Sequence, residues 1–262
     1  MTIATTRTRY SLKSTIKTAI RESAALRAVQ SISSPLVRRW SAESIPGWIG
    51  RIHELRVPKG VVPFGMPSPG GKANIKIILS LTKSVLRLAG DLAECGVYRG
   101  GTIIPLGLYL AQKRAKKIVF GFDSFAGFGN HAPLEPAEGS AIRTYGSFND
   151  TSYEMIQTKI KRLELSEQVI LIRGFFESSL GVAADRRFCF VHLDCDLYES
   201  YKICLNFFYE RMVPGGIILF YEYNDPPWPG CNLAVDQFLS DKPESLMKIS
   251  SDNYVRYFIR KC

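Results

Sequence analysis

From residue 91 onward the sequence alternates between short apolar runs and longer amphipathic ones, and this alternation limits the fold more than any other feature. The apolar runs fall at 91–95, 117–122, 168–173, 188–193 and 216–221, each of strand length. Helix-compatible segments lie between or after them, at 101–113, 151–163, 198–210 and 231–239. Strand and helix in regular succession predict a parallel sheet covered on both faces. The ending breaks the rhythm: Met247 to Ile249 and Tyr254 to Arg260 read as two strands with Asp252-Asn253 turning between them. The expected class is therefore α/β, a doubly wound, mostly parallel, seven-stranded Rossmann-like sheet closed by an antiparallel C-terminal hairpin.

Ahead of the sheet the chain reads as an extension. Leu12, Ile16, Ile20 and Ala24 at four-residue steps predict a marginal amphipathic helix, ended by Ser33-Ser34-Pro35. Trp40 to Ile52 is expected to dock on the domain. Residues 58–71 hold four prolines and four glycines and read as a loop, either lid or linker. Ala73 to Leu88 places Ile77, Ile78, Leu81, Val85 and Leu88 on one helical face, and Gly90 stops that helix. The domain division is a basic, helical N-terminal arm at 1–57 and a catalytic domain at 58–262.

Charge separates these two parts. The net charge is +10. Arg7, Arg9, Lys13, Lys17, Arg21, Arg27, Arg38 and Arg39, against Glu22 alone, place seven of those charges in residues 1–39. Such an arm suits an anionic surface, whether lipid, a phosphorylated glycan carrier or nucleic acid. Its composition also suits an organellar transit peptide or a solvated extension. Aromatic residues do not interleave with the charges, so no nucleic-acid partner is expected. No run approaches the ~18 apolar residues of a membrane span. Six cysteines show no C-x-x-C pair, which argues against zinc and for free buried thiols in a reducing compartment, the cytoplasm.

Four strand ends carry chemistry. The first is Glu94-Cys95-Gly96-Val97-Tyr98-Arg99-Gly100-Gly101, an apolar strand, a glycine turn and a helix start. Small residues let backbone approach a ligand, and free N–H groups at a helix start favour anionic groups. The spacing is neither the dinucleotide G-x-G-x-x-G nor a P-loop. Glu94, Gly96, Val97, Tyr98, Gly100 and Gly101 are the candidate cofactor residues here, and a glycine turn used only for packing is the alternative. The second strand ends in Asp123-Ser124-Phe125, where a carboxylate can accept from both hydroxyls of a ribose or can simply cap a turn. The fourth ends in His192-Leu193-Asp194-Cys195-Asp196. Asp196 is placed to cap the next helix, Asp194 is left as metal ligand or general base, and His192 reads as a core-adjacent histidine. The fifth ends in Tyr221-Glu222-Tyr223-Asn224-Asp225. Glu222 and Asp225 are placed to complete a carboxylate cluster for a hard cation such as Mg²⁺. Trp228 follows in a proline-rich loop, as an acceptor wall or as packing.

These strings, with Pro214-Gly215-Gly216, Leu193-Asp194-Cys195-Asp196-Leu197-Tyr198-Glu199-Ser200 and Ala234-Val235-Asp236-x-Phe238, resemble the macrocin O-methyltransferase (TylF-like) family over roughly residues 60 to 262. The resemblance implies a class I fold and transfer of a methyl group from S-adenosylmethionine to a hydroxyl of a sugar or glycosylated metabolite. It also implies Mg²⁺ and a homo-oligomer. It makes Asp194 both metal ligand and general base. Glu222 joins it as metal ligand and assisting catalytic residue. Where the family ends its fifth strand in two adjacent aspartates, this chain has Tyr221-Glu222, and a neutral phenol is a poor ligand. A metal-independent methyltransferase of another hydroxylated acceptor, and a cofactor-binding protein without catalysis, are the rival readings. A nicotinamide-dependent dehydrogenase lacks its glycine fingerprint.

Overall fold

The computed structural model describes residues 71–129, 133, 136–145, 148–251 and 254–262. The expected arm, its helix, the docking segment at 40–52 and most of the loop at 58–71 lie outside the described residues. The first element is helix α1, Gly71–Val85, which buries Ile77, Ile78, Leu81 and Val85 as their spacing predicts. Then follow β1 (Asp91–Cys95), α2 (Ile103–Lys113), β2 (Val119–Asp123), α3 (Pro136–Tyr145), α4 (Tyr153–Arg162) and β3 (Val169–Arg173). The chain continues through α5 (Phe176–Ser179), a 3-10 turn at Leu180–Ala183, β4 (Phe188–Leu193), α6 (Tyr198–Tyr209) and β5 (Met212–Phe220). It closes with α7 (Pro229–Leu239), β6 (Met247–Ser251) and β7 (Tyr254–Arg260).

The seven strands form one sheet in the order β3-β2-β1-β4-β5-β7-β6. The first five are parallel, and β7 enters between β5 and β6, antiparallel to both. Chain direction across the sheet reverses between β1 and β4, and the crevice at such a reversal is where open α/β sheets bind ligands. All six residues of β4 are buried, which is why the centre of the sheet reads as a mostly apolar run. One core, beneath α1, α2 and α4, gathers Ile78, Leu92, Ile103, Leu106, Ile156 and Phe190. The other, beneath α6 and α7, gathers Phe120, Phe122, Val191, Tyr201, Phe208 and Val235.

Helices α3 and α5 and the 3-10 turn at Leu180–Ala183 fall where no element was expected, and β5 starts early. Helix α3 occupies part of a stretch, 124–150, that reads as loop, because Pro136-Ala-Glu-Gly-Ser has no apolar period. It is held instead by buried Glu138, whose Oε1 accepts from Gly230 N at 3.0 Å. Strand β5 begins four residues early, at Met212, running through Pro214 where its register against β4 shifts. A bulge tolerates a proline that an ordinary inner ladder position would reject.

Candidate functional site

Strand β1 ends at a turn that only glycine can make. Gly96 has φ +90, and an added Cβ would fall 1.6 Å from the Asp194 carbonyl oxygen. Gly96 N donates to Phe122 O and Asp194 N donates to Cys95 O, both at 2.9 Å. The turn is therefore joined to the ends of β2 and β4. Just before it, Glu94 is 1% exposed. Its Oε1 lies 3.2 Å from His192 Nδ1, and its Oε2 has no hydrogen-bond partner. Burial, then the charges of Asp194 and Asp123, push the Glu94 carboxyl upward, while the Thr102 hydroxyl and Ile103 N–H oppose the shift. Burial, followed by Arg256, lowers His192 to about 3. The contact is thus a hydrogen bond to a neutral imidazole rather than an ion pair.

At the end of β2, Asp123 fastens the turn and also faces the cavity. Its Oδ2 accepts from Tyr98 N at 2.7 Å and its Oδ1 from Phe125 N at 2.6 Å, and it lines the same cavity as Glu94. Burial raises it, and those backbone donors pull it back. The Tyr98 hydroxyl donates to Asp150 Oδ1 at 2.6 Å, and Arg99 pairs with the other oxygen of Asp150.

The cavity, about 460 Å³, spans the carboxyl ends of β1, β2, β4 and β5. It is lined also by Asp194, Asp196, Tyr221, Glu222 and Asp225, with Asn74 and Ile75 of α1 and Pro227 and Trp228. Glu222 is 1% exposed. The Tyr201 hydroxyl donates to its Oε2, and its Oε1 has no partner. Asp194 and Glu222 interact directly, and burial raises both, Asp194 to about 6. Such a pair holds a proton more readily than separate carboxylates do. Trp228 is at once wall and core, lying 6.0 Å from Phe128 and 6.4 Å from Phe148, centroid to centroid.

Of the residues expected from sequence, Glu94, Gly96, Val97, Tyr98, Gly101, Asp123, Ser124, Asp194 and Glu222 line this one cavity. Two do not. Gly100, φ +83, is set against Ile104 within the turn, and Phe125 turns inward onto Tyr153 at 5.7 Å. Asp196 does not cap α6. The strand has already ended, Asp196 sits at φ +60, and Leu197 is the N-cap with no side-chain bond. Residues that sequence reasoning missed, Asn74, Thr102, Phe128, Phe148 and Phe175 among them, carry no local signal. Their position depends on packing between distant segments.

The sequence profile of the family described as Macrocin-O-methyltransferase (TylF) matches residues 70–258. The chain belongs to the macrocin O-methyltransferase (TylF) family. Every lining residue named above falls within the matched span. Among curated relatives, the demethyldecarbamoylnovobiocin O-methyltransferase of Streptomyces niveus is 30% identical over 173 residues, 62% of this chain and 64% of its own length. The mycinamicin III 3''-O-methyltransferase of Micromonospora griseorubida is 29% identical over 178 residues, 64% and 68%. The chain thus spans a little under two thirds of the first of these. The solved O-methyltransferase NovP superposes with a TM-score of 0.64 at 26% identity, covering 76% of this chain and 84% of its own. The calicheamicin methyltransferase CalS11 shares the fold, with a TM-score of 0.60 at 18% identity over 88% and 98%.

Proposed function

We propose that the chain is an S-adenosylmethionine-dependent O-methyltransferase acting on a hydroxyl of a sugar-bearing small molecule. The observation that carries this is a single cavity lined both by a glycine turn beside a buried carboxylate and by the Asp194–Glu222 pair. When bound, S-adenosylmethionine supplies an electrophilic methyl group on a sulfonium. Glu94 offers its free Oε2 to the ammonium of the methionine part. Asp123 has lone pairs left for ribose hydroxyls after its two backbone bonds. With the cofactor bound, its methyl carbon would be transferred to an acceptor oxygen while the C–S electron pair stayed on sulfur, and Asp194 would take the hydroxyl proton. A carboxylate near 6 is a better base than an ordinary one and is still ionised at neutral pH. Holding the acceptor in line supplies much of the rate. The sugar part is supported by a relative from Streptomyces olivaceus named as a methyltransferase of a rhamnosyl-tetracenomycin C, 30% identical over 142 residues.

The Mg²⁺ implied by family resemblance meets a changed donor set here. Glu222 keeps Oε1 open while its Oε2 accepts from Tyr201, Asp194, Asp196 and Asp225 line the same cavity, and the neighbouring Tyr221 offers only a phenol whose pKa burial and Asp194 push upward. Glu94, His192 and Asp194 can bring one ligand atom each within 4.8 Å of one another. That trio includes a nitrogen, whereas Mg²⁺ favours an all-oxygen shell.

Five buried unpaired thiols and one exposed support a reducing, cytoplasmic setting. No helix among the described residues is long and apolar enough to cross a membrane. A homo-oligomer, and contact of residues 1–57 with an anionic surface, complete this reading. It is tested by calorimetric titration with S-adenosylmethionine, followed by labelled methyl transfer to a panel of glycosides. Micromolar binding and transfer are expected, and absence of binding both with and without Mg²⁺ would overturn it.

A further inference from the structure

Where α1 meets the tip of β5, two uncharged polar side chains join across 147 positions of chain. Asn74 Nδ2 donates to the Tyr221 hydroxyl at 2.9 Å. Both residues line the cavity. The Tyr221 oxygen is the acceptor in that bond, so its own hydrogen is left to give. Asp194, Asp196, Glu222 and Asp225 line the same cavity, and among the described residues none of them is hydrogen-bonded to the phenol. Asn74 is 4% exposed, and its Oδ1 has no partner. An unpaired buried amide oxygen is costly, and such an atom beside a cavity points to a ligand that completes it. The pair therefore keeps one donor and one acceptor unused. Turning the amide over leaves the same count: the phenol would donate to Oδ1, and Nδ2 and the phenol oxygen would remain.

The pair is also held in place. Tyr221 N donates to Leu193 O at 2.9 Å, which sets Tyr221 beside Asp194 at the tips of β5 and β4. The His192 ring meets the phenol ring at 5.7 Å between centroids and 77° between planes. The Arg256 guanidinium lies 4.3 Å from the ring centre, brought alongside by the antiparallel pairing of β5 with β7, in which Phe220 faces Tyr257. Helix α1 anchors Asn74 through buried Ile77 and Ile78.

We infer that Asn74 and Tyr221 form a specificity site that reads a second hydroxyl of the acceptor sugar, one that is held but not methylated. The inference rests on the methyltransferase reading above. A hydroxyl both donates and accepts, so a single one completes the pair, donating to Asn74 Oδ1 and accepting from the Tyr221 O–H. A methoxy group in that place can only accept, and a deoxy carbon can do neither. The acceptor class is thus a sugar with at least two free hydroxyls. A site built to bond a hydroxyl discriminates against the analogue lacking it, because its buried groups are then left unpaired.

The experiment is a calorimetric titration of the full chain, loaded with S-adenosylhomocysteine, with phenyl glycosides and each of their monodeoxy forms. Labelled methyl transfer to the same compounds runs beside it. Loss of one hydroxyl other than the methylated one is expected to weaken wild-type binding by about 10- to 100-fold. Tyr221→Phe keeps the ring and removes only its hydroxyl. It should weaken the parent glycoside by about 10-fold, leave S-adenosylmethionine within about twofold, and reduce the difference between parent and that deoxy form to less than about threefold. Asn74→Leu should do the same. A purely structural role would weaken parent and deoxy forms alike. The inference is overturned if every monodeoxy form that still accepts methyl binds the wild type within about twofold of its parent, if Tyr221→Phe discriminates as the wild type does, or if no phenyl glycoside binds. Discrimination without methyl transfer would uphold the pair and sink the methyltransferase reading. Transfer without discrimination would do the reverse.

Discussion

The two walls of the cavity are built from different materials. On the side proposed for the cofactor the backbone does the shaping: Gly96 at φ +90 passes under Asp194, and the carboxylate of Asp123 is itself fastened by the amides of Tyr98 and Phe125. On the acceptor side the shape comes from side chains of separate segments, Asn74 from α1, Asp194 after β4, Glu222 after β5 and Trp228 before α7. A wall made of backbone tolerates almost no substitution but holds any ligand that matches it. A wall made of side chains can be rebuilt residue by residue. Cofactor and acceptor should accordingly respond to mutation in separable ways.

The strongest break in that separation is Gly96→Ala. Its Cβ has no room, and its φ is one that L residues rarely adopt, so a loss of about 4 kcal/mol of stability is expected, with both ligands lost together. Thermal melting and calorimetry check it, and an alanine variant with unchanged melting would refute the account of the turn. Asp194→Asn comes next. Removing the base should lower kcat by about 10²- to 10⁴-fold while S-adenosylmethionine binds within about threefold of wild type. Full turnover by that variant would move the base elsewhere. Glu94→Gln should weaken S-adenosylmethionine by about 10- to 100-fold, the cost of losing a charge-assisted hydrogen bond, and leave acceptor KM nearly unchanged. Trp228→Ala should do the opposite, raising acceptor KM by about 10-fold with cofactor affinity intact. If both constants moved together in either variant, the two walls would not be separable.

The smallest effect is on stability. Glu94, Asp194 and Glu222 have folded-state pKa values raised by burial, so the folded chain binds their protons more tightly than the unfolded one. Their contribution is present at low pH and is lost as pH rises, through about 6 for Asp194. His192, lowered to about 3, acts the other way below its unfolded value of 6.5. Three carboxyls against one imidazole leave the carboxyls ahead. The ligand-free protein should melt a few degrees higher at pH 6 than at pH 7.5, by calorimetric scan, and a flat or inverted profile would mean these carboxyls are ionised in the fold.

The same contrast explains what could be read from the sequence. Strands β1 and β4 were legible to the residue because a buried parallel strand is short and mostly apolar, with its polar residues, Glu94 and His192, near the end that faces the cavity. Glu94, Asp123, Asp194 and Glu222 were legible because an acidic residue at a strand tip is a local signal. Gly100 and Phe125 were misassigned because a motif names neighbours in sequence without saying which of them face inward. Asp196 was misassigned because nothing local announced a left-handed residue just after the strand. Asn74 and Arg256 were illegible altogether. The first meets Tyr221 across 147 positions of chain, and the second reaches the same ring only through the antiparallel pairing of β5 with β7.

The passage of Gly96 beneath the Asp194 carbonyl has one more consequence. On the proposed reading, the cofactor turn at Gly96 and the base Asp194 share a single splice of two strands, so the distance between methyl donor and proton acceptor comes with the fold and does not have to be set afresh for each acceptor. Changes in the loops around Pro227 and Trp228 are then free to explore new alcohols, because whatever they admit arrives at a reaction centre whose spacing they cannot disturb.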